Sequence, residues 1–124
     1  MKEKILIIDD EPEFAELMQL RLEANSYTVE AAADGESGIA KALEWGPDLI
    51  LLDIMMPGMD GLEVLRRLRR KPQTKHTPVI MLTARGETKS IFAAQDAGAT
   101  EYIIKPCDIH ELLRMVRKYI TPLG

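Results

Sequence analysis

The 124-residue chain contains one cysteine, Cys107. A single thiol cannot close an internal disulfide, which excludes a small secreted scaffold stapled by cystines. Aromatic residues make up 5% of the chain, with Trp45 the only tryptophan. The apolar runs end after a handful of residues, far short of the ~20 that a membrane-spanning helix needs. The N-terminus turns acidic at once, with no signal-peptide core or cleavage site, so a cytoplasmic protein away from the membrane is expected. There is no excess of positive charge: 16 Lys+Arg stand against 20 Asp+Glu, a net charge of −4. No global field therefore draws nucleic acid or anionic lipid, and no direct nucleic-acid binding is expected. Neither a P-loop nor a GxGxxG fingerprint follows the first apolar run, and no GxSxG elbow occurs. His76 and His110 are not spaced with Cys107 as a zinc site would require.

What the sequence does have is alternation. Five short apolar runs alternate with five amphipathic stretches, and no Ser/Gly/Pro-rich linker divides them. The first run, Lys4 to Ile8, is apolar on both faces, as a strand buried on both sides should be. Pro12 suits the first turn of the following helix, whose stripe is read as Phe14, Leu17, Met18 and Leu22. The second run, Tyr27 to Ala31, alternates and fits an edge strand; Ile39, Ala42 and Leu43 mark its helix, and Gly46-Pro47 its stop. The third run, Leu49 to Leu52, ends at Asp53, and Leu62, Leu65 and Leu68 carry the next helix. The fourth, Pro78 to Leu82, ends at Thr83 and is followed by a helix through Ile91, Ala94 and Gln95. The fifth, Glu101 to Ile104, ends at Lys105-Pro106, before a helix through Ile109, Leu112, Leu113, Val116 and Ile120. Five βα units in one domain over residues 1–124 predict an α/β sandwich. Its five-stranded parallel sheet is doubly wound and flavodoxin-like, with expected strand order 2-1-3-4-5. A barrel would need about eight units.

In open sheets of this kind, ligands sit beyond the carboxyl ends of the strands. Asp9, Asp10 and Glu11 follow the first strand, Asp53 the third, Thr83 the fourth and Lys105 the fifth. Gathered in one cleft, the carboxylates would repel one another unless a hard cation joined them. Mg²⁺, or Mn²⁺ in its place, suits such oxygen donors. Carboxylates, a divalent cation, a hydroxyl and a lysine are suited to phosphoryl transfer, and an Asp carboxylate can itself be the nucleophile.

On these residues the chain resembles the receiver domain of response regulators in bacterial-type two-component signalling, including chemotaxis regulators. The matching pieces are LIIDDEPEF with Asp9-Asp10, ILLDIMMPGMDGLEVL with Asp53, VIMLTARG with Thr83-Ala84, and GATEYIIKP with Tyr102 and Lys105-Pro106. The resemblance covers essentially the whole chain and implies a phosphorylation-activated switch. By the same resemblance, Asp53 is the phosphoacceptor, receiving its group from the phosphohistidine of a sensor kinase or phosphotransfer protein. Asp10, Asp53 and the backbone carbonyl of Met55 would bind Mg²⁺, with Asp9 acting through water. Thr83, the Ala84 backbone and Lys105 would hold the phosphoryl group, Tyr102 would move in concert with Thr83, and the Lys105–Pro106 peptide would be cis. The fourth helix, fifth strand and fifth helix would form the surface that controls an output domain or partner. The protein would be a monomer or a weak phosphorylation-dependent dimer. Lys89, Glu101 and Glu111 fit the charged dimer face of one DNA-binding subfamily, whereas Met115 and Pro122 stand where arginines are expected.

Two rival readings differ in class. A small aspartyl-phosphate phosphotransferase or phosphatase would place a carboxylate two residues after the nucleophile, where Met55 stands. A flavodoxin-like electron carrier would need a Ser/Thr/Gly-rich phosphate loop, where the sequence reads Asp-Asp-Glu-Pro. The basic run from Arg66 to Lys71 reads as a solvated helix end, Cys107 as a small buried hydrophobe, Trp45 as a cover over the sheet, and both histidines as surface residues. Met55 and Arg85, each two residues past a strand-end group, are expected to tune water access to the phosphoryl group.

Overall fold

The computed structural model describes residues 2–84 and 88–120; Arg85, Pro122 and the last four residues lie outside them. Ten elements alternate: β1 Lys4–Ile8, α1 Pro12–Ala24, β2 Thr28–Ala32, α2 Gly35–Trp45, β3 Leu49–Asp53, α3 Gly61–Arg70, β4 Val79–Ala84, α4 Thr88–Asp96, β5 Glu101–Lys105 and α5 Ile109–Tyr119. The strands form one parallel sheet in the order β2-β1-β3-β4-β5. This is the flavodoxin-like arrangement expected from the sequence.

The pleat divides the apolar residues between two layers. Ile5, Ile7, Leu49, Leu51, Ile80 and Leu82 face Met18 and Leu22 of α1 and Leu112, Leu113 and Val116 of α5. Leu6, Ile8, Ile50, Leu52, Val79 and Met81 face Ile39 and Ala42 of α2, Val64, Leu65 and Leu68 of α3, and Ala94 of α4. Central strands therefore need apolar side chains at every position, and β3 is buried along its whole length. Edge strand β2 alternates, with only Val29 buried.

Two assignments of side-chain environment need correction. Leu17, expected on the buried stripe of the first helix, is 47% exposed. Met18 and Leu22 are buried as expected, with Ala15 beside them and Phe14 packed against the same core; Leu17 lies roughly 100° of helix rotation from Met18. Cys107 is half-buried rather than enclosed, packed beside the α1/α5 layer.

Gly61 sets the position of the loop after β3. A Cβ there would collide with the carbonyl oxygen of Asp53 and stand 2.7 Å from Cα of Ile54. The Gly61 amide donates to the Ile54 carbonyl at 2.9 Å. The start of α3, capped by Asp60 through the Glu63 amide at 3.0 Å, is thus pressed against the backbone that carries Asp53.

Candidate functional site

Strand register brings the site together. Ile8 pairs with Leu52, Asp53 with Leu82, Thr83 with Ile104 and Ala84 with Lys105. Asp9, Asp53, Thr83 and Lys105 therefore leave the sheet at nearly one level, at its carboxyl edge. Asp9 and Asp53 are buried at 2% and 4% exposure, and Thr83 is fully enclosed. Asp10 is half-buried. Asp9, Asp10 and Asp53 each offer a carboxylate oxygen, all lying within 4.8 Å of one another. Three hard oxygen donors at this spacing are compatible with a divalent cation.

Lys105 is the cation that faces them. Its Nζ lies 2.7 Å from Asp9 Oδ2, 2.7 Å from Glu11 Oε1 and 3.7 Å from Asp53 Oδ2. It also stands 4.3 Å from the centre of the Phe14 ring, whose π-face favours an ammonium. One ammonium among four acidic groups leaves the cluster in deficit of positive charge. Burial, then the neighbouring Asp9, pushes the Asp53 carboxyl up from 3.8 to about 7. Lys105 and the Met55 amide, which donates to Asp53 Oδ1 at 3.3 Å, act in the opposite direction. Burial alone would lower the Lys105 ammonium; Asp9, Glu11 and Asp53 together hold it above its ordinary range. A buried carboxyl held up in this way beside further acidic oxygens is compatible with a divalent cation at the same place.

The remaining sequence-selected residues fall around this cluster. Thr83 hydroxyl donates to the Ala84 carbonyl at 3.4 Å. Met55 is 56% exposed at the mouth and Tyr102, on β5, is 39% exposed. The Lys105–Pro106 peptide is cis. Asp9 also serves the local chain, accepting from the Glu11 amide at 2.9 Å. Sequence reasoning missed Glu11 and Phe14 as companions of Lys105. Glu11 stood in the acidic run and Phe14 on the helix stripe, but only the fold brings the Lys105 side chain, 94 positions from Glu11, onto both.

The sequence profile of the response regulator receiver domain matches residues 5–117. The chain is a response regulator receiver domain. It is 46% identical over 114 residues to the DNA-binding dual master transcriptional regulator RpaA of Synechocystis, covering 92% of this chain and 47% of that protein. It is equally identical, over the same share of this chain, to 46% of the transcriptional regulatory protein ResD of Bacillus subtilis. The receiver thus spans about half the length of these curated relatives. Among solved structures, the chemotaxis protein CheY4 of Vibrio cholerae superposes with a TM-score of 0.92 at 32% identity, covering 97% of this chain and all of that one. Membership in this family makes the domain a signalling component of two-component systems rather than a metabolic enzyme. No helix among the described residues is long and apolar enough to cross a membrane.

Proposed function

We propose that Asp53 accepts a phosphoryl group from the phosphohistidine of a partner kinase or phosphotransfer protein. An Asp53 carboxylate oxygen attacks phosphorus, the P–N bond breaks, and its electron pair stays on the imidazole. The product is an acyl phosphate on Asp53. The observation that carries this reading is the ammonium of Lys105 held within 4 Å of both Asp9 and Asp53 at the carboxyl edge of the sheet. Asp10, Asp53 and the Met55 carbonyl, with Asp9 through water, would hold Mg²⁺, which supplies positive charge to the transferring group when bound. Lys105 exchanges part of its carboxylate contact for a phosphoryl oxygen. Thr83 and the Ala84 amide provide donors to the other oxygens. The added charge of roughly −1.5 to −2 is the new element that these groups can sense.

The output is read through α4, β5 and α5, where Phe92, Tyr102 and Ile104 are exposed at 63%, 39% and 41%. RpaA and ResD are named as transcriptional regulators, which supports an output on DNA, while the net charge of −4 supports no nucleic-acid contact by the receiver itself. Glu101 accepts from Lys118 Nζ at 2.9 Å and from the Tyr119 hydroxyl. These internal partners compete with any charged contact across a dimer. Met55, two residues past Asp53, leaves the position of a small-substrate phosphatase acid without a carboxyl group.

The test is incubation with Mg²⁺ and acetyl phosphate followed by intact-mass spectrometry. One added phosphoryl group is expected on the native chain and none on Asp53→Asn or without metal. An undiminished adduct on Asp53→Asn would contradict the assignment.

A further inference from the structure

One residue in the basic run closing α3 departs from its neighbours. Arg66, Arg67 and Arg70 are exposed, as a solvated helix end should be, but Arg69 is half-buried. Its guanidinium donates to four main-chain carbonyls. Nε reaches Gly98 at 2.9 Å, while Nη1 reaches Thr74 at 3.0 Å, Lys75 at 3.3 Å and Thr77 at 2.7 Å. The expectation of a solvated cation therefore fails at this position, because loop carbonyls converge on it. A planar fork with five donors can serve carbonyls from several directions, which a lysine ammonium on a thin stem cannot match.

The Gly98 carbonyl belongs to the turn that ends α4. Gly98 adopts φ +99°, a left-handed conformation that suits glycine. Its amide donates to Gln95 at 3.1 Å, and the Ala99 amide donates to Ala94 at 2.9 Å. Two residues on, Thr100 is tied to the start of β4: its amide donates to the Val79 carbonyl at 2.9 Å, and its hydroxyl accepts from the Val79 amide at 2.9 Å. The C-terminal end of α4 is thereby fixed to α3, to the turn after it and to the sheet.

Among its described side chains, the rest of α4 is seated shallowly. Ala94 is the one buried residue among its described side chains, and Phe92 is 63% exposed. Because β4 runs from Val79 to Ala84 before α4 begins at Thr88, the end of α4 that Arg69 does not hold is the one that follows Thr83.

We propose that Arg69 is a positioning residue for the switch: it pins the C-terminal end of α4 as a pivot, so that phosphorylation displaces the Thr83-proximal half of the helix and leaves residues 97–100 in place. This rests on the function proposed above, in which Thr83 senses the phosphoryl group. The pivot converts a small shift beside Thr83 into a rotation of α4, with Phe92 carried along.

Residue-resolved amide hydrogen exchange on the full chain tests it, with and without Mg²⁺ plus beryllium fluoride as a phosphoryl mimic. In the native protein, protection is expected to change at residues 89–93 and to stay constant at 97–100. In Arg69→Met, which keeps the stem and loses the fork, exchange at Ala97 and Ala99 should rise about tenfold even without the mimic, and the response should spread over all of α4. Arg69→Lys should behave like Arg69→Met. Equal response along α4 in the native protein, or an unchanged pattern in a folded Arg69→Met, overturns the pivot. If Arg69→Met does not fold, the native profile decides alone. Phosphoryl uptake from acetyl phosphate, measured by mass on the same native sample, separates the two readings. An adduct with a uniform α4 response overturns the pivot only, whereas no adduct overturns the phosphoswitch and the pivot with it.

Discussion

At the residue scale, the site is governed by the cost of burying Asp53 beside Asp9. The Asp53 carboxyl titrates at about 7 in the folded, metal-free protein against 3.8 ordinarily. A folded-state value raised in this way penalises the native state once the carboxyl ionises. The penalty is absent below pH ~4, grows as the pH rises and is complete above ~7. Asp53→Asn is accordingly expected to be more stable than the native chain at pH 8 without metal, by roughly 2 kcal/mol after allowance for solvent screening. Thermal melts should show this as a Tm higher by about 6 °C at pH 8, with the difference shrinking towards pH 4.5. Equal melting temperatures at pH 8 would mean that the carboxylate pair carries no such strain. The identities of Asp9, Asp10, Asp53, Thr83 and Lys105 were legible because each stands where an apolar run stops. The contacts of Lys105 with Glu11 and Phe14 were not. They link the end of β5 to the first turn of α1, and periodicity says nothing about such a meeting.

At the element scale, the order of strands and helices followed from hydrophobic period and stop signals, and the parallel sheet from buried strands joined by helices. The limits lay in side-chain environments that pattern leaves open. In α1, Ala15 lies inside and Leu17 outside, because Ala15 shares the face of Met18 and Leu22 while Leu17 lies roughly 100° of helix rotation from Met18. Arg69 likewise reads as one more surface cation until the turn at 71–77 folds its carbonyls towards it. Gly61 belongs to the same class of feature, a residue whose need is set by a neighbour distant in the fold. Gly61→Ala should cost roughly 2–4 kcal/mol in chemical denaturation, since the new methyl must displace the Asp53 carbonyl or the start of α3. It should also slow phosphoryl uptake, because the same shift moves Asp53. A loss below roughly 0.5 kcal/mol would show that the loop after β3 yields freely.

At the scale of the whole molecule, one sheet divides the work. Both of its faces are occupied by packing, and its carboxyl edge collects charged groups that packing cannot use. That division lets a receiver of the same family stand as a full chain of this size, as CheY4 does, or form about half of a transcriptional regulator, as in RpaA and ResD. The surface of α4, β5 and α5 is where these uses would part, and here it combines exposed apolar side chains with a Glu101 already paired to Lys118 and Tyr119. The central claim remains that Asp53, among the buried carboxylates, carries the phosphoryl group. The most direct test is to phosphorylate the native chain in Mg²⁺, reduce the acyl phosphate with borohydride, and locate the resulting homoserine by peptide sequencing in the mass spectrometer. The account predicts homoserine at position 53 alone. Homoserine at position 9 or 10, or a phosphoryl adduct that borohydride leaves untouched, would contradict it.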